Sequence, residues 1–198
     1  SMEVLRQPME DGRVTISRVS GSTSYPCRFM LVAAMNPCPC GYFGHPTHPC
    51  LCHPHAVERY LGKVSGPLLD RIDLHIEVPA VPFEELSSTK QEEPSAAIRE
   101  RVNAARERQR QRFEGKPYHC NADIPAGELQ EMCPTTQAAS QLLQRAFDRF
   151  GFSARTYGRV VKVARTIADL DGSDQIDTSH VAEAVQYRTL DRKYWLKK

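Results

Sequence analysis

The residues best suited to chemistry in this chain of 198 residues lie between Ala34 and Asp73. Cys38-Pro39-Cys40 and Cys50-Leu51-Cys52 are two thiol pairs separated by nine residues. A tight loop that folds one pair onto the other offers a zinc ion the corners of a tetrahedron. The C-x-C spacing is less common in zinc sites than C-x-x-C, so reduced thiols without metal and an oxidised pair stay open as alternatives. A disulfide is disfavoured by the strain of closing it within C-x-C and by a reducing compartment. His45, His48, His53 and His55 crowd the same segment, and one of them can stand in for a cysteine. Cys27, Cys120 and Cys133 are isolated and read as small core residues.

Two polar residues bracket the cysteines. Asn36 ends the apolar run 28–35, and Arg71 follows Ser65-Gly66-Pro67-Leu68-Leu69-Asp70. A neutral amide can donate to phosphate while accepting from water, and a planar guanidinium can stabilise charge spread over phosphoryl oxygens. The plainer readings are that Asn36 caps a turn before Pro37 and that Arg71 pairs with Asp70 or Asp73. The phosphate chemistry needs a nucleotide, yet the sequence has no G-x-x-x-x-G-K-[ST] spacing, and Gly62-Lys63-Val64-Ser65 lacks the leading glycine. These residues imply one half of a nucleotide-hydrolysing ring, without the half that grips the nucleotide.

The elements that must position them fall into two textures. In the first, residues 4–9 resemble the tail of a helix, and 12–18 alternate as a strand with Val14 and Ile16. Residues 20–24 supply a turn, and 28–35 form a buried strand. After the cysteines come short helices over 54–61 and 67–71, then a strand over 73–78. The acidic, Ser/Pro-containing stretch 79–94 has no period and reads as a linker. Beyond it the chain is helical. Ser95 caps a helix to about Phe113 with Ile98, Val102 and Ala105 on one side. A short segment over 125–132 follows, then a helix from Thr135 or Thr136 that stops at Gly151. Ser153 caps 154–170, Gly172 ends it, and Asp177-Thr178 caps a last helix over 179–189. The fold class is α+β: an α/β portion over 1–80, a linker over 81–94 and an all-α domain over 95–198.

Composition sets the outer limits. Forty per cent hydrophobic residues can build a core, and a net charge of +2 says nothing by itself about nucleic acid. No apolar run approaches the ~20 residues that cross a bilayer, and no targeting segment is visible, which predicts a cytoplasmic protein without membrane partners. Ser1-Met2 reads as a remnant of tag removal and Glu3 as the start of a truncated chain. Six arginines between Arg99 and Arg112 against Glu100 and Glu107 are either a phosphate-contacting stripe or a solvated helix face.

Three separated motifs carry a resemblance. They are Asn36-Pro37-Cys38-Pro39-Cys40-Gly41, the run from Tyr60 to Asp73 centred on Leu68-Leu69-Asp70-Arg71, and Ser153-Ala154-Arg155 with Ala164-Arg165-Thr166-Ile167-Ala168-Asp169-Leu170. In this order they resemble the bacterial magnesium-chelatase-like AAA+ proteins of the ComM/YifB type, over nearly the whole chain. The resemblance implies the C-terminal part of an AAA+ α/β core followed by a helical lid, with Walker A and Walker B absent. It implies that Asn36 is sensor 1, Arg71 an arginine finger reaching the neighbouring subunit, and Arg155 sensor 2. It further implies ATP and Mg²⁺ as cofactors of the full-length protein, a homo-hexameric ring, and a hairpin over 15–29 whose Arg18 and Ser22 touch DNA.

Arg155 lies in the first turn of its helix, where free N–H groups favour an anion, whereas Arg165 points about 80° away. A solvated arginine is the plain alternative at Arg155, and a merely flexible turn at the hairpin. The function implied is a DNA motor driving branch migration in natural transformation. A protein-remodelling motor of chelatase or chaperone type and a zinc-stabilised binding module remain as alternatives.

Overall fold

The computed structural model describes residues 2–79, 81 and 92–188. They form two compact units, one within 1–80 and one over 81–188. Ser1, most of the expected linker and the tail 189–198 lie outside the described residues.

In the first unit a 3₁₀ turn, Met2–Leu5, runs into helix α1, Arg6–Asp11. Gly12 closes α1 at φ +62° by donating its N–H to Pro8, a left-handed position that favours glycine. Strands β1, Arg13–Arg18, and β2, Gly21–Pro26, pair antiparallel with Arg13 opposite Pro26 and Arg18 opposite Gly21. The turn is therefore Val19-Ser20, one step earlier than the Ser/Gly run suggests, and Ser22 to Ser24 belong to the second strand. A two-residue connection suits a glycine at its edge. Helices α2, Pro54–Leu61, and α3, Gly66–Leu69, follow, with Pro near the start of each and the Ser65 hydroxyl accepting from the Leu68 N–H.

The expected strands at 28–35 and 73–78 do not form. Both segments are irregular, and among the described residues only β1 and β2 are strands; Met30 and Val32 are each 86% exposed. Leu74, Ile76 and Val78 are exposed too. Continuous apolar runs suit a strand buried on both faces, which needs neighbours to fill its ladder. No described segment supplies them.

The second unit is helical: α4, Ser95–Arg112; α5, Leu129–Met132; α6, Gln137–Phe150; α7, Ala154–Leu170; and α8, Thr178–Gln186. Thr136, Ser153 and Asp177 cap α6, α7 and α8, and Gly151 (φ +59°) ends α6. At α4 the cap expected from Ser95 is absent, because Ser95 is already helical and Pro94 precedes it. Ile98 and Val102 are exposed, and α4 buries only Ala105 and Gln109, so the apolar side expected there is shorter. Helix α7 packs on α4 and α8, and α6 on α8. Its buried positions Thr156, Val160, Ala164 and Ala168, beside Val161, Arg165 and Asp169, fall on two adjacent four-residue rows. They meet Ile124, Met132, Leu143, Ile176 and Val181 in one core.

Within that core lies a charge cluster. Asp169, 2% exposed, accepts from Arg112 Nη1 at 3.0 Å and also from Arg112 Nη2, from Asn121 Nδ2 at 2.8 Å and from Arg165 Nε at 3.2 Å. Arg165 is fully buried and donates to the carbonyls of Ser173 and Asp174, which satisfies the chain leaving α7. Arg101, Arg108 and Arg110 pair with Glu93, Asp174 and Glu107. With Arg112, four of the six arginines on α4 are thus ion-paired within the unit, and Arg106 donates to Gln109.

Burial works to raise the Asp169 pKa, but the hydrogen bonds from Arg112 and Asn121 and the charge of Arg165 hold it below the usual carboxylate value. A folded-state pKa below the unfolded value of about 3.9 means that the stabilisation is complete above that pH and is lost as pH falls through the lowered value. Asp169→Asn strands two cations and is expected to cost about 3–5 kcal/mol at neutral pH. Urea denaturation followed by helical circular dichroism from pH 7 to 3 should show this penalty shrinking toward the acid end.

Candidate functional site

The cysteine segment has a short-range reason for its shape. The Gly41 N–H donates to the Cys38 carbonyl at 3.1 Å, and Gly41 takes φ +84°, so the chain reverses within Cys38-Pro39-Cys40-Gly41. Cys38 is fully buried in a small cluster with Val57 and Leu61 of α2, against which Phe43, Tyr60, Cys50 and Cys52 pack. The sulfurs of Cys38, Cys40, Cys50 and Cys52 all lie within 4.8 Å of one another. Cys38 and Cys40 are 3.3 Å apart, Cys38 and Cys50 3.7 Å, and Cys40 and Cys50 3.6 Å.

All four are free thiols. Four sulfurs each about 2.3 Å from a zinc ion at the centre of a tetrahedron stand about 3.8 Å apart, so the donor set and its spacing fit zinc. Four protein ligands leave no open position, which makes such an ion structural rather than catalytic. Among the described residues this cluster contains no histidine. His45 instead accepts from the Thr47 and His48 N–H groups, and His55 lies 3.3 Å from Glu58.

The thiols are not equivalent. The backbone N–H of Tyr42, helped by Cys38, draws the Cys40 pKa down to about 6. At Cys50 the Cys52 amide pulls the same way, but burial and the sulfurs of Cys40 and Cys38 outweigh it and push the pKa to about 12. Of the isolated cysteines, Cys133 is the buried core residue expected, and burial pushes its pKa up to about 11. Cys27 and Cys120 are only half-buried, with the Cys120 thiol 3.3 Å from Asp123.

Asn36 sits two residues before this turn. It is exposed rather than at the end of a buried strand, and its amide lies beside Gly41. Arg71 follows α3 and is 8% exposed. Its Nη1 donates to the Pro67 carbonyl at 2.6 Å and its Nη2 to Glu10 of α1, an ion pair with a residue distant in sequence. A cleft of about 570 Å³ opens beside it, lined by Glu10, Arg6 and Thr15 among others. Glu10 had no local signal, being 61 residues from Arg71. Arg155 is exposed in the first turn of α7, while Arg165 is fully buried.

Arg18 ends β1 and is exposed, next to Val19 at the tip. The Ser22 hydroxyl is 3.0 Å from that of Ser17 across the hairpin. Asn36, Arg71, the four clustered cysteines, Arg18 and Ser22 thus lie in the first unit and Arg155 in the second.

Residues 1–86 match the family model described as magnesium chelatase, subunit ChlI, and residues 92–188 match its C-terminal model. The chain is 43% identical over 192 residues to the competence protein ComM of Haemophilus influenzae, covering 96% of this chain and 36% of that protein. It is 42% identical over 194 residues to YifB of Escherichia coli, covering 97% of this chain and 37% of that protein. A Mycobacterium tuberculosis protein, Rv2897c, is 38% identical over 190 residues, 95% of this chain and 37% of its own length. The chain belongs to the magnesium-chelatase-like ComM/YifB family, and its α+β architecture with a helical C-terminal part agrees with that membership. It spans little more than a third of the length of these curated relatives.

Protein purified without chelator is expected to carry one zinc per chain by elemental analysis, falling below ~0.1 in Cys38→Ser. Chelation should collapse the amide NMR signals of residues 37–53 toward the narrow range of disordered chain while those of α6 to α8 stay in place, because the loop has little apolar core of its own. Full zinc in Cys38→Ser would remove that residue from the site.

Proposed function

We propose that this chain is the C-terminal part of an ATP-driven, homo-hexameric AAA+ motor that acts on DNA in the cytoplasm, driving branch migration during natural transformation. The observation that carries the reading is the 43% identity to a competence protein along 96% of this chain, across the segments that hold Asn36, Arg71 and Arg155. In it, residues 1–80 complete an α/β core, 81–94 link it onward and 95–198 form the lid. ATP and Mg²⁺ are held chiefly by a part of the protein outside this sequence, since the phosphate-cradling loop is absent from it.

On this reading each residue has a physical task. Asn36 presents an exposed amide that orients the attacking water beside the γ-phosphate. Arg71 exchanges the Glu10 carboxylate for phosphoryl oxygens of the neighbouring subunit, a swap between two anionic partners that keeps the guanidinium compensated. Arg155 adds a cation where the first-turn N–H groups of α7 already favour an anion, so lid position follows nucleotide state. Arg18 and Ser22 hold the DNA backbone without reading bases, and zinc on the four cysteines keeps the loop between Asn36 and α2 folded.

No membrane partner enters this reading, and among the described residues no helix is long and apolar enough to cross a membrane.

The chain by itself should hydrolyse no ATP above a catalytically dead control. In the full-length protein Arg71→Ala should lower DNA-stimulated hydrolysis by about 10³-fold or more with ATP binding retained. Mixing it with a subunit lacking the Mg²⁺-binding carboxylates should restore part of the rate. Loss of ATP affinity in Arg71→Ala would instead assign the residue to structure through Glu10. ATP turnover indifferent to DNA would remove the DNA motor.

A further inference from the structure

The turn that carries Cys38 and Cys40 is also the platform under Asn36. The Asn36 Cγ and Nδ2 each lie 3.9 Å from the position a Gly41 Cβ would take, so the side-chain amide neighbours the open side of the glycine that closes the turn. That glycine is held by its hydrogen bond to Cys38 and by φ +84°, a conformation L side chains rarely adopt. One end of the turn is anchored, because Cys38 is fully buried against α2. Cys40 is exposed and is tied to the anchored end and to Cys50 through sulfur contacts of 3.3 and 3.6 Å.

We propose that the four-cysteine site is a positioning device for Asn36. A metal ion bound by Cys38, Cys40, Cys50 and Cys52 clamps the turn to the chain entering α2 and so fixes the direction of the Asn36 amide. The inference rests on reading the cysteines as a zinc site. It goes beyond holding the loop folded, because it couples the metal to a residue that does not ligate it. Four sulfur ligands remove the freedom of Cys40 and, through the closed turn, of Gly41, so that the amide has a fixed neighbour. Asn36 and the cysteines are therefore linked as ligand shell and supported group, in the way that outer contacts orient a metal's surroundings.

The test uses this chain. Asn36, Asn103 and Asn121 are its three asparagines, so the Asn36 side-chain NH₂ pair is assigned by its absence in Asn36→Asp. Zn²⁺ is added to metal-free protein while ¹⁵N spectra are recorded and bound zinc is counted. The expected result is an Asn36 amide pair that shifts and sharpens in step with zinc up to one equivalent, with the Asn121 pair, held by Thr166 and Asp169 in the helical unit, unmoved. Cys52→Ser leaves the turn itself intact and should keep the Asn36 pair at its metal-free position when zinc is added, with the helical unit's signals verifying the fold. Zinc bound at one equivalent without movement of Asn36 would overturn the coupling and leave the metal site standing. Failure to bind zinc at all would overturn the metal reading and the coupling together.

Discussion

The carboxylate of Asp169 is the charge around which the helical unit is assembled. An ionised group 2% exposed is tolerable only when its lone pairs are filled and its charge is matched. Here Arg112 reaches it from α4, Asn121 from the turn that follows, and Arg165 from its own helix. Three separate stretches of chain must arrive together for the charge to be satisfied, so the cluster couples their positions. Arg165 then spends its remaining donors on the carbonyls of Ser173 and Asp174, fixing the path from α7 to α8. The apolar core supplies most of the burial around it, but any arrangement that misplaces one donor leaves a charge uncompensated. Geometric selectivity follows from the cost of that error.

The first unit is held differently. Its buried apolar residues are Cys38, Val57 and Leu61 in one cluster with a few half-buried neighbours, and Leu68 and Leu69 of α3, while apolar residues at 30, 32, 76 and 78 face solvent. So small a core offsets little ordering entropy, and local devices carry more of the order: the hairpin ladder, the Gly12 and Gly41 turns, the proline-started helices and the Arg71–Glu10 pair. Four thiols within tetrahedral reach belong to the same economy. A metal there replaces apolar contacts that the segment cannot make, and on the reading proposed above it also orients Asn36.

Three arginines illustrate how environment separates roles that residue type leaves alike. Arg165 is fully buried with each group's hydrogen bonds directed inward, and it serves the fold. Arg71 is nearly as buried but lines a cleft, with a carboxylate as its partner. Arg155 stands exposed over the first turn of α7. Only the last two retain a route to an anion, and both are the positions the proposed mechanism uses.

Local chemistry was legible from residue order alone. Capping by Thr136, Ser153 and Asp177, the stop at Gly151, the short helices begun by Pro54 and Pro67, and the gathering of four cysteines all depend on neighbours close in sequence, whereas the exclusion of the nearby histidines from that cluster took the structure to show. The family was legible too, because Asn36, Arg71 and Arg155 stand in motifs whose order survives without coordinates. Pairing between distant segments was not. The apolar runs at 28–35 and 73–78 read as buried strands, yet a strand exists only with a partner, and the described chain gives them none. Arg71 pairs with Glu10, 61 residues away, and the partners of Asp169 came from α4 and from the turn after it as well as from its own helix. Local propensity is set by a residue and its near neighbours, whereas which charges and strands meet is decided by the closed path of the chain, and only the tertiary structure traces that path.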